Sequence, residues 1–478
     1  MRFEDSLHTI NKINKIITHP SVLIELPKHF TYHDRSSTHY TIFSLFLPYF
    51  LLHALFPPNA PRAVQLLRKE NLAIPMCYLT VGLLQGLSGP FINVYPLFLN
   101  ATEAQQTAVS SIRSLPALFK IFFGFWSDNV PLWGYRRKSY MFVGWLTSSL
   151  SMLCLLFFSD LTRLENGFDE KGDVKYIPTD DVPSIPFLSA MLLLFGTGFW
   201  FADVMGDSLV AEKAKLEPEE TRGQLQSTCY SCRFFGLMVT APISTVLYKK
   251  YGPEVVVRLM AIVPMIMLPF IYYLWERRDI PVKSTPDQCR EIWTTVCSRA
   301  VWQPMAFVYI YNVLQVGNAA WKEFLRSILH FTDVQLNILL IVAYVLLYLG
   351  VLAYKYYFIK WSWRSIYVMT TVLNGVFSAL QVLLIQGITF GLSPFVFALG
   401  DDIFADFIAG IQFLVSFVFC YTYLQYMIGT TFRHSSFSYT TSLTCTNNFF
   451  FYNESINGLI LPHSANYDYD GTSLSSWK

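Results

Sequence analysis

The chain has 478 residues, of which 53% are hydrophobic, 17% aromatic and only 14% charged, with a formal net charge of +2. A soluble domain carries roughly a quarter charged residues, so this composition, with a mean hydropathy of +0.37, points to one polytopic membrane domain. It speaks against a disordered chain, a secreted disulfide scaffold and a nucleic-acid binder, because no basic field is available to attract a polyanion.

The polar start, MRFEDSLHTINKINK, shows no cleavable signal pattern. His29, His33 and His39 follow without converging acidic or thiol partners, so they read as a solvated tail and not a metal site. Residues 1–71 are expected to be a cytoplasmic N-terminus. Within them an apolar run at 41–56, interrupted by Pro48 and His53, is short for a span and reads as an interfacial helix.

Crossing the hydrocarbon core takes about 20 mostly apolar residues. Ten stretches reach or approach that length: 74–99, 109–127, 139–159, 185–207, 224–248, 254–275, 303–321, 335–358, 365–390 and 402–427. The polar stretch 276–301 reads as a long central cytoplasmic loop, separating a first half at 72–275 from a second at 302–432. Loops after even-numbered spans hold most of the loop cations, among them Arg136, Arg137, Lys138, Lys213, Lys215, Arg277, Arg278, Lys355 and Lys360. By the positive-inside rule, these loops and the N-terminus face the cytoplasm. The acidic stretch 160–182 then faces outward or into a lumen.

Eight cysteines are scattered, and only Cys229 and Cys232 are close together. They fall in an apolar helical pattern without a second pair, so membrane packing is expected there and no metal ligation. No HExxH, GxSxG or glycine-rich phosphate loop with a lysine is present. Neither a catalytic residue nor a cofactor is therefore expected, and the chain reads as a non-enzyme.

Charges within spans are costly, at least about 2.5–3.5 kcal/mol in a lipid-facing helix, and each is a site hypothesis. Arg113 and Lys120 lie seven residues apart on one face of the second span. Asp203 and Asp207 stand one turn apart in the fourth, and Arg233 shares a stripe with Gln226 in the fifth. Asp401, Asp402 and Asp406 open the tenth. Opposite signs on different helices can pair across a bundle interior. The bland alternative is structural ion pairing, or a position close enough to a span end to reach water.

The strongest motif is RSLPALFKIFFGFWSDNVPLWGYRRKSY, from Arg113 to Tyr140. Gly124 and Asp128 end one span, and Gly134, Arg136, Arg137 and Lys138 lead into the next. Such a charge cluster at a helix end is a candidate gate in a rocking bundle. The motif resembles the loop between spans two and three of the major facilitator superfamily, with a longer Asp-to-Gly gap. That longer form resembles the folate–biopterin transporter family. ADVMGDSLVAEKA at 202–214, RGQLQSTCYSCRFFG at 222–236 and ALGDDIFADFIAGIQF at 398–413 agree with it.

The resemblance implies an all-α membrane bundle working by alternating access on folates or pterins, with protons as the coupling ion. Other organic anions, or a transport-inactive sensor or assembly partner, are the rival readings. The plasma membrane is the expected location. For a pterin, Asp203 is the expected carboxylate partner of the amino-pyrimidinone edge, with Phe199, Trp200 and Phe201 for stacking. Arg113, Lys120 or Arg233 would counter the glutamate tail. Spans four and ten are equivalent in the superfamily's duplicated halves, so FADVMGD at 201–207 and GDDIFAD at 400–406 read as two facing acidic clusters. The family has twelve spans, but after Phe432 the chain turns polar, and 433–478 holds no run long enough for the last two. A tail from a shifted reading frame or a retained intron is expected, the other reading being a ten-span protein.

Overall fold

The computed structural model describes residues 64–161, 164–168, 174–178, 181–218, 223–278, 285–314, 328–330, 333–388, 391, 393, 395, 397, 400 and 404–415. The interfacial helix expected at 41–56, Asp401, Asp402 and the tail at 433–478 lie outside these residues.

Helix α1 (Ala73–Phe98) opens the bundle. A capping box starts α2 (Glu103–Ser114): the Gln105 amide donates to the Thr102 hydroxyl at 3.3 Å, and the Thr102 amide donates to Gln105 Oε1 at 2.9 Å. These bonds satisfy helix-end donors that have no intrahelical partner. The span continues through a 3₁₀ turn (Leu115–Phe119) into α3 (Lys120–Asn129). Pro116 lies in that turn; with no N–H and a ring that crowds the preceding turn, it breaks the regular helix. The second span is thus two helices with a tightened joint.

Helix α4 (Lys138–Phe158) follows, then an antiparallel hairpin of β1 (Leu164–Phe168) and β2 (Val174–Pro178) with Leu164 opposite Pro178. The expected all-helical architecture holds for the membrane part, while the acidic connection adds this small sheet. Ser184 caps α5 (Ile185–Ala214) by accepting from the Phe187 amide at 3.4 Å. Helices α6 (Gln224–Tyr251) and α7 (Pro253–Tyr273) complete the first half, each entered through a glycine of positive φ, Gly223 at 89° and Gly252 at 85°.

The central stretch is not wholly loop. Thr285 and Pro286 open α8 (Thr285–Cys297), a start suited to proline at the first turn. Helix α9 (Arg299–Leu314) leads the second half. Next come α10 (Asp333–Ala353), continued by a π turn at Tyr354–Phe358, then α11 (Trp363–Ile385) and α12 (404–415). Among the described residues six helical stretches are long and apolar enough to cross a membrane: 104–129, 138–158, 185–214, 253–273, 341–358 and 363–385.

Helix α1 packs along α6 and α7, α4 along α5 and α7, and α2 along α5. In membrane bundles small residues let backbones approach closely, and here glycines do so. A Cβ on Gly198 would sit 2.5 Å from the Gly144 carbonyl oxygen, and one on Gly82 would sit 1.9 Å from that of Arg233. The core includes Trp145, Met141, Phe195, Tyr95 and Phe91, while Phe157, Val246, Ile266 and Val368 face outward. The first half meets the second where α6 packs on α10.

Candidate functional site

Three of the isolated intramembrane charges of the first half, Lys120, Asp203 and Arg233, come together. Lys120, at the start of α3, reaches α5, where its Nζ lies 2.7 Å from Asp203 Oδ2. Arg233 approaches from α6 and places Nη1 3.3 Å from Asp203 Oδ1, while its Nε donates to Gln85 Oε1 on α1 at 3.1 Å. The exposures of Lys120, Asp203 and Arg233 are 0%, 2% and 1%. Four helices therefore converge on one carboxylate shared by two cations. Such a cluster is tolerable in a low-dielectric interior because each charge has a partner and further hydrogen bonds. The Lys120 ammonium also lies 4.4 Å from the Trp200 ring centroid, within cation–π range.

Asp207, one turn further along α5, is buried, and its Oδ1 accepts from the Tyr78 hydroxyl at 2.5 Å. Tyr78 packs edge-on against Tyr230 with centroids 5.2 Å apart. Arg113 lies elsewhere on the α2 face: its Nη1 donates to Ser88 Oγ on α1 at 2.6 Å. Asp406 is partly buried on α12. Asp401 and Asp402 lie outside the described residues, so of the two acidic clusters expected to face each other the one on α5 is described in full.

Both Asp203 oxygens face cations, so in this conformation its carboxylate is engaged by Lys120 and Arg233 and not presented as a bare acceptor pair. The aromatic neighbours in sequence are also committed. Phe199 packs on Trp145, Phe195 and Trp200, and Phe201 meets Phe123 and Tyr140 edge-on.

A second polar constellation surrounds the α3–α4 turn. Leu132 and Tyr135 exchange both backbone hydrogen bonds, at 3.0 and 3.1 Å. Trp133 and Gly134 at the tip have φ of 54° and 77°, the pairing a tight type I′ turn requires. Glycine meets that requirement without strain, which accounts for Gly134. Gly124 is buried on α3.

Past the turn, Arg137 folds back into the bundle. Its guanidinium pairs with Asp128, donates to Ser127 and stands 3.5 Å from Glu212 on α5. Arg137 is 2% exposed, so its side chain belongs to the interior of the bundle. Glu276, just beyond α7, accepts the backbone N–H of Arg136, Arg137 and Lys138 at 3.0, 2.9 and 2.8 Å. A carboxylate on these orphan N-terminal donors of α4 also complements the helix dipole. Burial nonetheless raises the Glu276 carboxyl above its ordinary range, outweighing the backbone donors that lower it. Lys138 ties the same corner by donating to the carbonyls of Tyr272 and Leu274 at 2.7 and 3.0 Å.

Four participants escape a reading of charge within spans. Glu212 and Glu276 stand in charged stretches, where an acidic residue carries no mark of its partner. Glu217 similarly accepts the amides of Gly223 and Leu225 at 3.0 and 2.6 Å, capping α6. Lys355, counted above among loop cations, is 7% exposed and donates from the π turn to Thr228 Oγ1 on α6 at 2.8 Å. The signal for Lys355 is its position within the apolar pattern of the eighth span. Among the described residues no cluster of His, Cys, Asp and Glu has a metal-holding arrangement.

The fold and the sequence have known relatives. The proton:xylose symporter XylE of the major facilitator superfamily, bound to 6-bromo-6-deoxy-D-glucose, superposes with a TM-score of 0.51 at 11% identity, covering 80% of this chain and 86% of that one. The partially occluded, inward-open xylose transporter XylE from E. coli gives 0.50 at 12% identity, with 82% and 91% covered. This likeness establishes the major facilitator fold.

The folate-biopterin transporter of Synechocystis sp. is 25% identical over 379 residues, 78% of this chain and 71% of its own length. Probable folate-biopterin transporter 6 of Arabidopsis thaliana and folate transporter 1 of Plasmodium falciparum are each 21% identical, over 70% and 66% of this chain. The chain spans 66% and 59% of those two relatives. The BT1 family matches residues 91–164 and 178–420. This chain, a multi-pass integral membrane protein of major facilitator fold, belongs to the BT1 family.

Proposed function

We propose that the protein carries folates or pterins across a membrane by alternating access, taking up protons with them. The observation that carries this reading is the buried Lys120–Asp203–Arg233 cluster on helices of the first half. Two cations on one carboxylate leave one net positive charge, and Asp207 nearby balances it. A proton on Asp207 restores the positive charge, which a substrate carboxylate then neutralises. Asp203 thus acts as the anchor that holds two cations for an incoming anion, in place of a direct clasp on the pterin edge. The relatives named as folate-biopterin transporters supply the substrate class.

The Asp128–Arg137–Glu212 group is drawn from α3, α4 and α5 of one half. In a rocking cycle these residues move together. Their role is to stiffen the α3–α4 turn as the surface on which the other half closes, with Glu276 holding the turn to the end of α7. Gly124, Gly134, Arg136 and Lys138 belong to the same gate. In this reading that end faces the cytoplasm together with the N-terminus, and the protein works in the plasma membrane.

The test is uptake of labelled folate and biopterin in cells lacking their own carrier, at an acidic and at a near-neutral outside pH, so that an inward proton gradient is present in the first case and largely absent in the second. Accumulation above vector controls that is faster at the acidic pH supports the reading. Normal surface levels without pteridine uptake at either pH would overturn it.

A further inference from the structure

Phe413 lies on α12, and its ring centroid stands 5.2 Å from that of Tyr230 and 5.0 Å from that of Phe234, both in edge-to-face geometry. Tyr230 and Phe234 belong to α6 in the first half and α12 to the second, so this contact bridges the halves. On α6 the two rings are one turn apart, and Arg233 stands between them in sequence at helical i+3 spacing from Tyr230, on the same side of the helix. All four side chains are buried. Three rings held from two halves therefore meet on the turn of α6 that also carries Arg233, whose guanidinium meets Asp203.

The aromatic side chains on α5 are placed differently. Phe199 and Phe201 pack against rings of α3, α4 and α5, and the Trp200 ring lies against Lys120 of α3. Those contacts sit inside the first half and are unaltered by a rigid-body rocking of one half against the other. Phe413 must part from Tyr230 and Phe234 whenever α12 and α6 separate, which exposes ring faces beside Arg233. Aromatic faces and edges exchange partners readily, because offset-stacked and edge-to-face arrangements are both favourable.

We propose that Tyr230, Phe234 and Phe413 form the ring subsite for the carried molecule, a planar heteroaromatic ring entering between Phe413 and the two α6 rings while its carboxylate meets Arg233 and Lys120. The assignment rests on the transport reading above and deepens it. The ligand class is a fused aromatic ring with an anionic tail, and Phe413 is the specificity-determining contact supplied by the second half. Phe199 and Phe201 are then structural.

Equilibrium binding to the purified full-length protein in detergent tests the subsite without depending on transport. The probes are folate, pterin-6-carboxylate and the ring-less N-acetylglutamate. Phe413→Leu is expected to weaken folate and pterin-6-carboxylate by about fivefold, in line with the worth of an aromatic pair, and to leave N-acetylglutamate within about twofold. Phe413→Tyr, which keeps the ring, is expected to restore binding, and Phe413→Met serves where the leucine variant is poorly folded. Equal weakening of ringed and ring-less probes would make Phe413 a general closure residue and overturn the proposal, as would no change for any probe. A wild-type protein that binds neither pteridine would instead bring down the transport reading, and the subsite with it.

Discussion

Glu276 and Lys138 are joined by a 2.8 Å hydrogen bond from the Lys138 backbone amide to Glu276 Oε2, which pins the start of α4 to the chain leaving α7. Glu276 Oε1 takes the amides of Arg136 and Arg137 as well. One carboxylate thus replaces the missing intrahelical acceptors at the beginning of a span.

This relationship has a pH signature. Burial raises the Glu276 carboxyl above its ordinary value, so the folded state holds that proton more tightly than the unfolded chain. Its contribution to stability is full below the ordinary glutamate value and is lost as pH rises through the raised one. Relative to Glu276→Gln, the wild-type protein should therefore gain thermal stability as pH falls across that window. A difference in Tm that does not change with pH would contradict this.

Arg137 and Asp128 are paired at 3% and 5% side-chain exposure. Removing one partner of such a pair leaves an uncompensated buried charge, at about 3–5 kcal/mol. Arg137→Met should lower the Tm strongly, and Arg137→Met with Asp128→Asn should recover much of the loss. Additive effects in this double-mutant cycle would show that the pair is not coupled.

Charge balance separates Lys120 from Asp203. Lys120→Met leaves Arg233 in direct contact with Asp203, whereas Asp203→Asn removes the carboxylate that both Lys120 and Arg233 touch and leaves Asp207 as the remaining anion nearby. Both should abolish uptake. Asp203→Asn should also cost more folded protein, by about 3 kcal/mol or more, read as monodisperse yield and Tm in detergent. Equal yields for the two variants would argue against the shared-carboxylate arrangement.

Gly82 carries the crossing of α1 and α6 in the region of Arg233. A Cβ there would lie 1.9 Å from the Arg233 carbonyl oxygen, so Gly82→Ala must push the helices apart. A loss of about 1–3 kcal/mol is expected for forced overpacking, together with weaker folate binding as Arg233 shifts. Unchanged Tm and binding would contradict the close approach.

The parts of this molecule that can be read from sequence are those where a residue violates its surroundings. Lys120, Asp203, Asp207 and Arg233 interrupt apolar spans, and burial makes each demand a partner, so their clustering follows from the cost of leaving them alone. Gly134 is legible because a turn needs its φ. Glu212, Glu217 and Glu276 are not, because an acidic residue beside other charges violates nothing, and its function depends on which helix start the chain brings to it. The joint in the second span is marked by Pro116, but its 3₁₀ geometry and the π turn at Tyr354–Phe358, which brings Lys355 inside, are settled by packing. Helix α8 and the paired strands β1 and β2 lie in polar connections where periodicity over the whole span length gives no signal.

In the proposed function Lys120 and Arg233, held by Asp203, receive the anion of a pteridine substrate. Folate binding to the purified protein, compared between wild type and Arg233→Lys, tests it most directly. Lysine keeps the charge but loses the planar fork that spans Asp203 and Gln85. Saturable wild-type binding, weakened about tenfold or more in Arg233→Lys at unchanged fold, is the predicted result. Folate binding of equal strength in both proteins would contradict the claim.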